Sequence, residues 1–162
     1  MEDLKQPRKS KKRNKINVYF NKTASTGKTK YITGEFDSKK CNSFFPYRSS
    51  YELKFLEMLE ADDNVVNFTY ESFKIPYKDV YNKERQYIPD FLVLHKDGSL
   101  IISEIKPEAM LQDYNVQSKK RAVLAFIEEN LKDLNVEYKF ITETYLFKSP
   151  TDYTEFLRRA RK

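Results

Sequence analysis

The chain has 162 residues, of which 40% are hydrophobic and 15% aromatic, and a net charge of +6. This composition excludes disorder throughout and predicts one domain with tails. No apolar run approaches the ~20 residues of a membrane-crossing helix, and the polar, basic start carries no secretory signal.

A single cysteine (Cys41) and a single histidine (His95) exclude an internal disulfide and a Cys/His zinc site. Such cysteine usage fits an intracellular setting. It also leaves carboxylates as the ligands of any metal, which points to Mg²⁺ or Mn²⁺.

The charge is unevenly placed. Residues 1–30 hold ten Lys/Arg against two acids, whereas the other 132 hold 20 basic and 22 acidic residues. The centre of this arm is Arg8, Lys9, Lys11, Lys12, Arg13 and Lys15. A basic arm on a near-neutral body is expected to contact nucleic-acid phosphates with little regard to sequence. Within it, Ser25-Thr26-Gly27-Lys28-Thr29 resembles the end of a phosphate-binding P-loop. That motif needs a glycine five positions before Gly27, where Lys22 stands, and no buried strand precedes it, so a nucleotide site is rejected.

Residues 31–48 read as an irregular, aromatic-rich stretch over the core. Ser49-Ser50 then opens a helix to about Glu60, with Ser49 and Glu52 at capping-box spacing and Phe55, Leu56 and Leu59 as its apolar stripe. Val65–Tyr70 and Ser72–Tyr77 read as extended segments, the second at an edge because of Pro76. Lys78–Arg85 reads as a charged loop. Tyr87–His95 and Leu100–Lys106 are strands joined as a hairpin by Lys96-Asp97-Gly98. A helix follows over about Val116–Asn130. The next strand, Glu137–Thr142, is separated from the hairpin by that helix and is placed to pair in parallel. Thr151–Arg161 closes the chain as a basic amphipathic helix. The core order is α-β-β-β-α-β-α, an α/β (α+β) fold with a mixed sheet and flanking helices.

Asp90 follows Pro89 at the start of one strand. Glu104 and Lys106 lie on the next and share one face with Leu100 and Ile102, because side chains alternate along a strand. Burying unpaired charge costs several kcal/mol, so these groups are expected to pair or to hold a cation. Asp90, Glu104 and the Ile105 carbonyl would give a divalent ion three oxygen ligands. Lys106 beside them would orient a water and meet the developing oxyanion. Phosphodiester hydrolysis needs this set of groups and no His or Cys. Glu52 falls on the buried stripe of the first helix, as a third acid facing the metal directly or through water, as the capping partner of Ser49, or as both. His95 is read as structural, and Tyr47 and Tyr87 as bordering a cleft.

Five blocks occur in order: Pro46-Tyr47-Arg48-Ser49-Ser50-Tyr51-Glu52, Ile75-Pro76-Tyr77, Tyr87-Ile88-Pro89-Asp90-Phe91, Ser103-Glu104-Ile105-Lys106-Pro107 and Phe140-Ile141-Thr142-Glu143. Over residues 31–147 this series resembles the head completion nucleases of tailed bacteriophages. Those are relatives of the TnsA-type transposon endonucleases in the PD-(D/E)xK superfamily. The resemblance implies a restriction-endonuclease-like fold and Mg²⁺-dependent cutting of DNA. It assigns Glu52, Asp90 and Glu104 to the acidic metal site and Lys106 to the lysine. It further implies action on packaged DNA as a capsid is finished, in the bacterial host or on the virion, with capsid, portal or neck proteins as partners. Two features depart from the phage pattern: the basic arm (1–30) and the basic C-terminal helix (148–162). The alternatives are a TnsA-like strand-cutting subunit that works with a transposase, and a non-catalytic DNA-binding or capsid-plug protein.

Overall fold

The computed structural model describes residues 32–161. The basic arm, including Arg8, Lys9, Lys11, Lys12, Arg13 and Lys15, and the Ser25–Thr29 run therefore lie outside the described residues. The described residues fall in two compact units, Ile32–Leu146 and a second that holds Phe147 onward. Among the described residues no helix is long and apolar enough to cross a membrane.

The first unit begins with an antiparallel hairpin, β1 (Gly34–Ser38) and β2 (Ser43–Tyr47), where an irregular stretch was expected. Gly34 faces Tyr47 across it, and a Cβ at position 34 would lie 2.5 Å from the Tyr47 hydroxyl, so a larger residue there would have to push that ring aside. Helix α1 (Ser50–Ala61) follows, and Ser49 Oγ caps it by accepting the Glu52 amide at 3.1 Å. Its buried side includes Glu52, Phe55, Leu56 and Leu59, the i, i+3, i+4, i+7 stripe.

Strand β3 (Val65–Tyr70) precedes a second small hairpin, β4 (Ile75–Lys78) and β5 (Glu84–Tyr87). This corrects two expectations. Part of the charged loop at 78–85 is strand, and the long strand from Tyr87 to His95 is broken at residues 88–90. The cause is Pro89, which has no amide to give a ladder. The chain resumes as β6 (Phe91–His95) and turns into β7 (Leu100–Ile105). The turn is closed by the Gly98 amide on the His95 carbonyl at 3.0 Å, and Gly98 takes a φ of +85° there. Helix α2 (Tyr114–Asn130), capped by Asp113, carries the chain over to β8 (Val136–Ile141), and a short α3 (Glu143–Leu146) ends the unit.

The central sheet has the order β3-β6-β7-β8, antiparallel except for the parallel β7–β8 pair. It is a mixed sheet with flanking helices. Phe91 pairs with Ser103 and Leu92 with Ile102, so these two pairs point to opposite faces. Phe55 of α1 packs edge-on against Phe91 at 5.2 Å. On the other face Ile102 joins Val123 of α2, Ile75 of β4 and Tyr87 of β5 in one buried cluster. In the second unit, α4 (Pro150–Ala160) is capped by Ser149 Oγ on the Asp152 amide and ends with Arg158 and Arg159. Phe147 packs on Tyr153 at 4.7 Å and on Phe156 at 5.4 Å.

Candidate active site

The site forms where the β6–β7 ladder stops. Its last pair is Phe91 with Ser103. The next position on β7 that points toward β6 is Ile105, and its partner strand offers only Pro89. The Asp90 side chain takes over: its Oδ2 accepts the Ile105 amide at 2.8 Å. The Asp90 amide reaches Glu104 Oε2 at 3.3 Å, and its carbonyl accepts the Glu71 amide at 2.9 Å. A break in the ladder thus becomes a fixed carboxylate. In a strand the amide and carbonyl of one residue point to the same side, so the Ile105 carbonyl also turns toward Asp90.

Continuing the register by one pair sets Asp90 opposite Glu104, on the face of Leu92 and Ile102. Both carboxylates are buried, at 0% and 2% exposure. Glu104 Oε2 accepts the Tyr87 hydroxyl at 2.6 Å, and the Tyr138 hydroxyl lies 3.0 Å from that of Tyr87. Lys106 Nζ stands 3.7 Å from Glu104 Oε1. The Lys106 amide extends the parallel ladder by bonding the Ile141 carbonyl at 3.0 Å. Sequence reading brought Asp90, Glu104 and Lys106 together, and the structure places them together.

Glu52 is also at 0% exposure. Its Oε2 accepts the Arg48 amide at 2.6 Å, so the side chain closes the helix start one residue ahead of the Ser49 cap. The Tyr70 ring lies 5.2 Å from that of Phe91, the residue after Asp90. Burial pushes the Tyr70 hydroxyl well above the ordinary tyrosine range, and the charges of Glu52, Glu71 and Asp90 push it further. Tyr87 and Tyr138 are raised for the same reasons, by burial first and then by Glu104 and other neighbours that include Asp90.

Glu52, Asp90 and Glu104 are all buried carboxylates, and a cation among them would offset the cost of burying their charge. The donor set is entirely oxygen, which suits a hard cation. Among the described residues no three or more His, Cys, Asp or Glu side chains are grouped to hold an ion by themselves. An ion here would draw on Asp90, Glu104, the Ile105 carbonyl and water. That fits Mg²⁺, which keeps several waters and binds through one or two carboxylates.

Sequence reading placed Tyr87 at the border of a cleft without its bond to Glu104, and missed Tyr138 and Tyr70 as parts of the site. The available signal was position: Tyr87 lies three residues before Asp90, and Tyr138 stands in a strand opposite Ile102. Lys119 of α2 adds a cation 5.3 Å from the centre of the Tyr87 ring and 5.9 Å from that of Tyr77.

A mixed four-stranded sheet with a helix on each face, and carboxylates meeting where two antiparallel strands part, defines a restriction-endonuclease-like domain. The chain belongs to the family described as TnsA-like endonuclease N terminal, whose model matches residues 62–143, half of the sequence. The matched span holds Asp90, Glu104 and Lys106 and begins after Glu52. A search of curated proteins gives no match. The chain is thus a nuclease-family domain.

Proposed function

We propose that this protein is a metal-dependent endodeoxyribonuclease that hydrolyses phosphodiester bonds with Mg²⁺ or Mn²⁺. The observation that carries the reading is the pair Asp90 and Glu104. Both are buried and each has one oxygen tied by a protein donor, with Lys106 3.7 Å from Glu104. Asp90, Glu104 and the Ile105 carbonyl would hold the ion, and Glu52 would reach it through water. When bound, the ion supplies Lewis-acid polarisation of the phosphoryl oxygen and acidifies a water. The chain's own residues do the rest. Lys106 orients the attacking water through its ammonium hydrogens and stabilises charge building on the phosphate. Asp90 and Glu104, fixed by backbone and tyrosine donors, keep their geometry through the reaction.

The substrate is DNA, duplex and with weak sequence preference, and the arm at Arg8–Lys15 supplies phosphate contacts. The blocks from Pro46 to Glu143 support a role in phage head completion. That role would place the protein in the bacterial host, on the virion, beside capsid, portal or neck proteins. The family match favours a second reading, a strand-cutting subunit that needs a transposase partner.

A plasmid nicking assay tests the enzyme claim. Mg²⁺ should support nicking and EDTA should abolish it. Lys106→Ala should cut about 10²–10³-fold more slowly, the usual cost of losing one oxyanion-stabilising donor. Asp90→Ala should be inactive. Equal nicking by wild type and both variants would mean a contaminant and would overturn the assignment. Full activity without any partner would remove the transposase reading.

A further inference from the structure

Glu104 Oε2 receives two donors, the Tyr87 hydroxyl at 2.6 Å and the Asp90 amide at 3.3 Å. Oε1 is the oxygen on the side of Lys106. A phenol has one proton to give. Tyr87 gives its proton to Glu104, so in the 3.0 Å contact between the two phenols Tyr138 is the donor. The direction of the chain is then fixed: Tyr138 to Tyr87 to Glu104. Tyr87 has little freedom to turn away. It is 1% exposed, packed with Ile75, Ile102 and Val123, and has Lys119 against its ring.

We propose that Tyr87, backed by Tyr138, is a positioning residue that commits Glu104 to a one-oxygen contact with the cation. The inference rests on the metal reading given above. Its consequence is ion choice. A carboxylate restricted to one oxygen suits a small octahedral ion that retains its waters. Ca²⁺ takes six to eight oxygens and often both oxygens of a carboxylate. The β4–β5 hairpin, outside the central sheet, thus acts on the site through the last residue of β5.

Calorimetric titration of Mn²⁺, Mg²⁺ and Ca²⁺ into metal-free protein tests this without relying on turnover. Tyr87→Phe keeps the ring and its packing and removes only the donor. It should lose about 10-fold in Mn²⁺ affinity, the lower end of the usual effect of losing a partner of a metal ligand. Ca²⁺ affinity should fall less, or rise, so that preference shifts toward the larger ion. Tyr138→Phe should move both in the same direction by less. In a Glu104→Gln background Tyr87→Phe should change ion affinity no further.

Several results would count against the proposal. Wild-type protein that binds Mn²⁺ no better than Tyr87→Phe overturns the positioning role alone. An equal loss for all three ions with a lowered melting temperature assigns Tyr87 to packing and also overturns it. Wild-type protein that binds none of the ions overturns the metal reading, and the positioning role with it.

Discussion

Asp90 and Ile105 are joined by a hydrogen bond that replaces a rung of the sheet: Oδ2 accepts the Ile105 amide at 2.8 Å. One oxygen of a buried carboxylate therefore does structural duty while the group as a whole carries charge into the site. The two duties can be separated. Asp90→Asn keeps an oxygen for the amide and removes the charge, whereas Asp90→Ala removes both. Both variants should lose metal-dependent cleavage. Only the alanine variant should pay for an unsatisfied buried amide, about 1–3 kcal/mol relative to asparagine. Urea unfolding of the two metal-free proteins measures the difference. Equal midpoints would mean that Ile105 has another acceptor and that Asp90 has no structural share.

The raised tyrosines predict an alkaline limit. The fold keeps Tyr70, Tyr87 and Tyr138 protonated, chiefly by burial and then by the nearby carboxylates. In the unfolded chain tyrosine ionises near pH 10. Below about pH 10 both states hold these protons and stability is complete. Above it the unfolded chain releases protons that the fold retains, so stability falls as pH rises. Absorbance at the phenolate band should show ordinary tyrosines ionising first and these three only as the protein unfolds. Tyr87→Phe should remove one late ionisation. Complete titration of all tyrosines while the far-ultraviolet dichroism stays native would contradict the buried network.

The sequence reveals Asp90, Glu104 and Lys106 because ionisable groups stand out among apolar strand neighbours and the alternation puts them on one face. The β6–β7 turn is equally visible, because Lys96-Asp97-Gly98 leaves few other geometries. Other features carry no such signal. In the β1–β2 hairpin only Ser38 and Phe45 are fully buried, so the alternation that marks a strand is missing. Around Pro89 and Asp90 the pairs Tyr87-Ile88 and Phe91-Leu92 are apolar, so hydropathy reads on through the break. That break decides the place of Tyr87. As part of a strand running on to His95 it looks like a residue at the rim of a cleft. As the end of β5 it is driven inward onto Glu104. Pairing across seventeen residues of chain is set by tertiary packing, which a local pattern does not encode.

Glu60 predicts acid sensitivity at the far end of α1. Its carboxylate accepts Ser38 Oγ at 2.6 Å and the Lys39 and Lys40 amides at 2.9 Å, tying the helix to the β1–β2 turn. Burial pushes its pKa upward, but these donors outweigh burial and hold it below the ordinary 4.5. A depressed carboxylate contributes stability that is present above the unfolded value and is lost as pH falls through the folded one. Glu60→Gln should therefore be less stable at pH 7, by about 1 kcal/mol after allowance for solvent screening. The difference from wild type should close at pH 3. A gap that persisted at pH 3 would mean that the amide fails for steric reasons and that charge is not the cause.

The last prediction separates binding from cutting. Residues 1–30 hold most of the positive excess, with Arg8, Lys9, Lys11, Lys12, Arg13 and Lys15 at its centre. Each phosphate neutralised on duplex DNA adds about 0.9 to the slope of log affinity against log salt. If those six residues make phosphate contacts, deleting 1–30 should flatten that slope by up to about five units and weaken binding alike for unrelated sequences. Cleavage of DNA at saturating concentration should survive, because Asp90, Glu104 and Lys106 lie in a different part of the chain. Fluorescence anisotropy over a salt series gives the slope, and nicking at high protein concentration gives the rate. An unchanged slope would remove the arm from the interface. A lost rate at saturation would instead place arm residues at the site of chemistry.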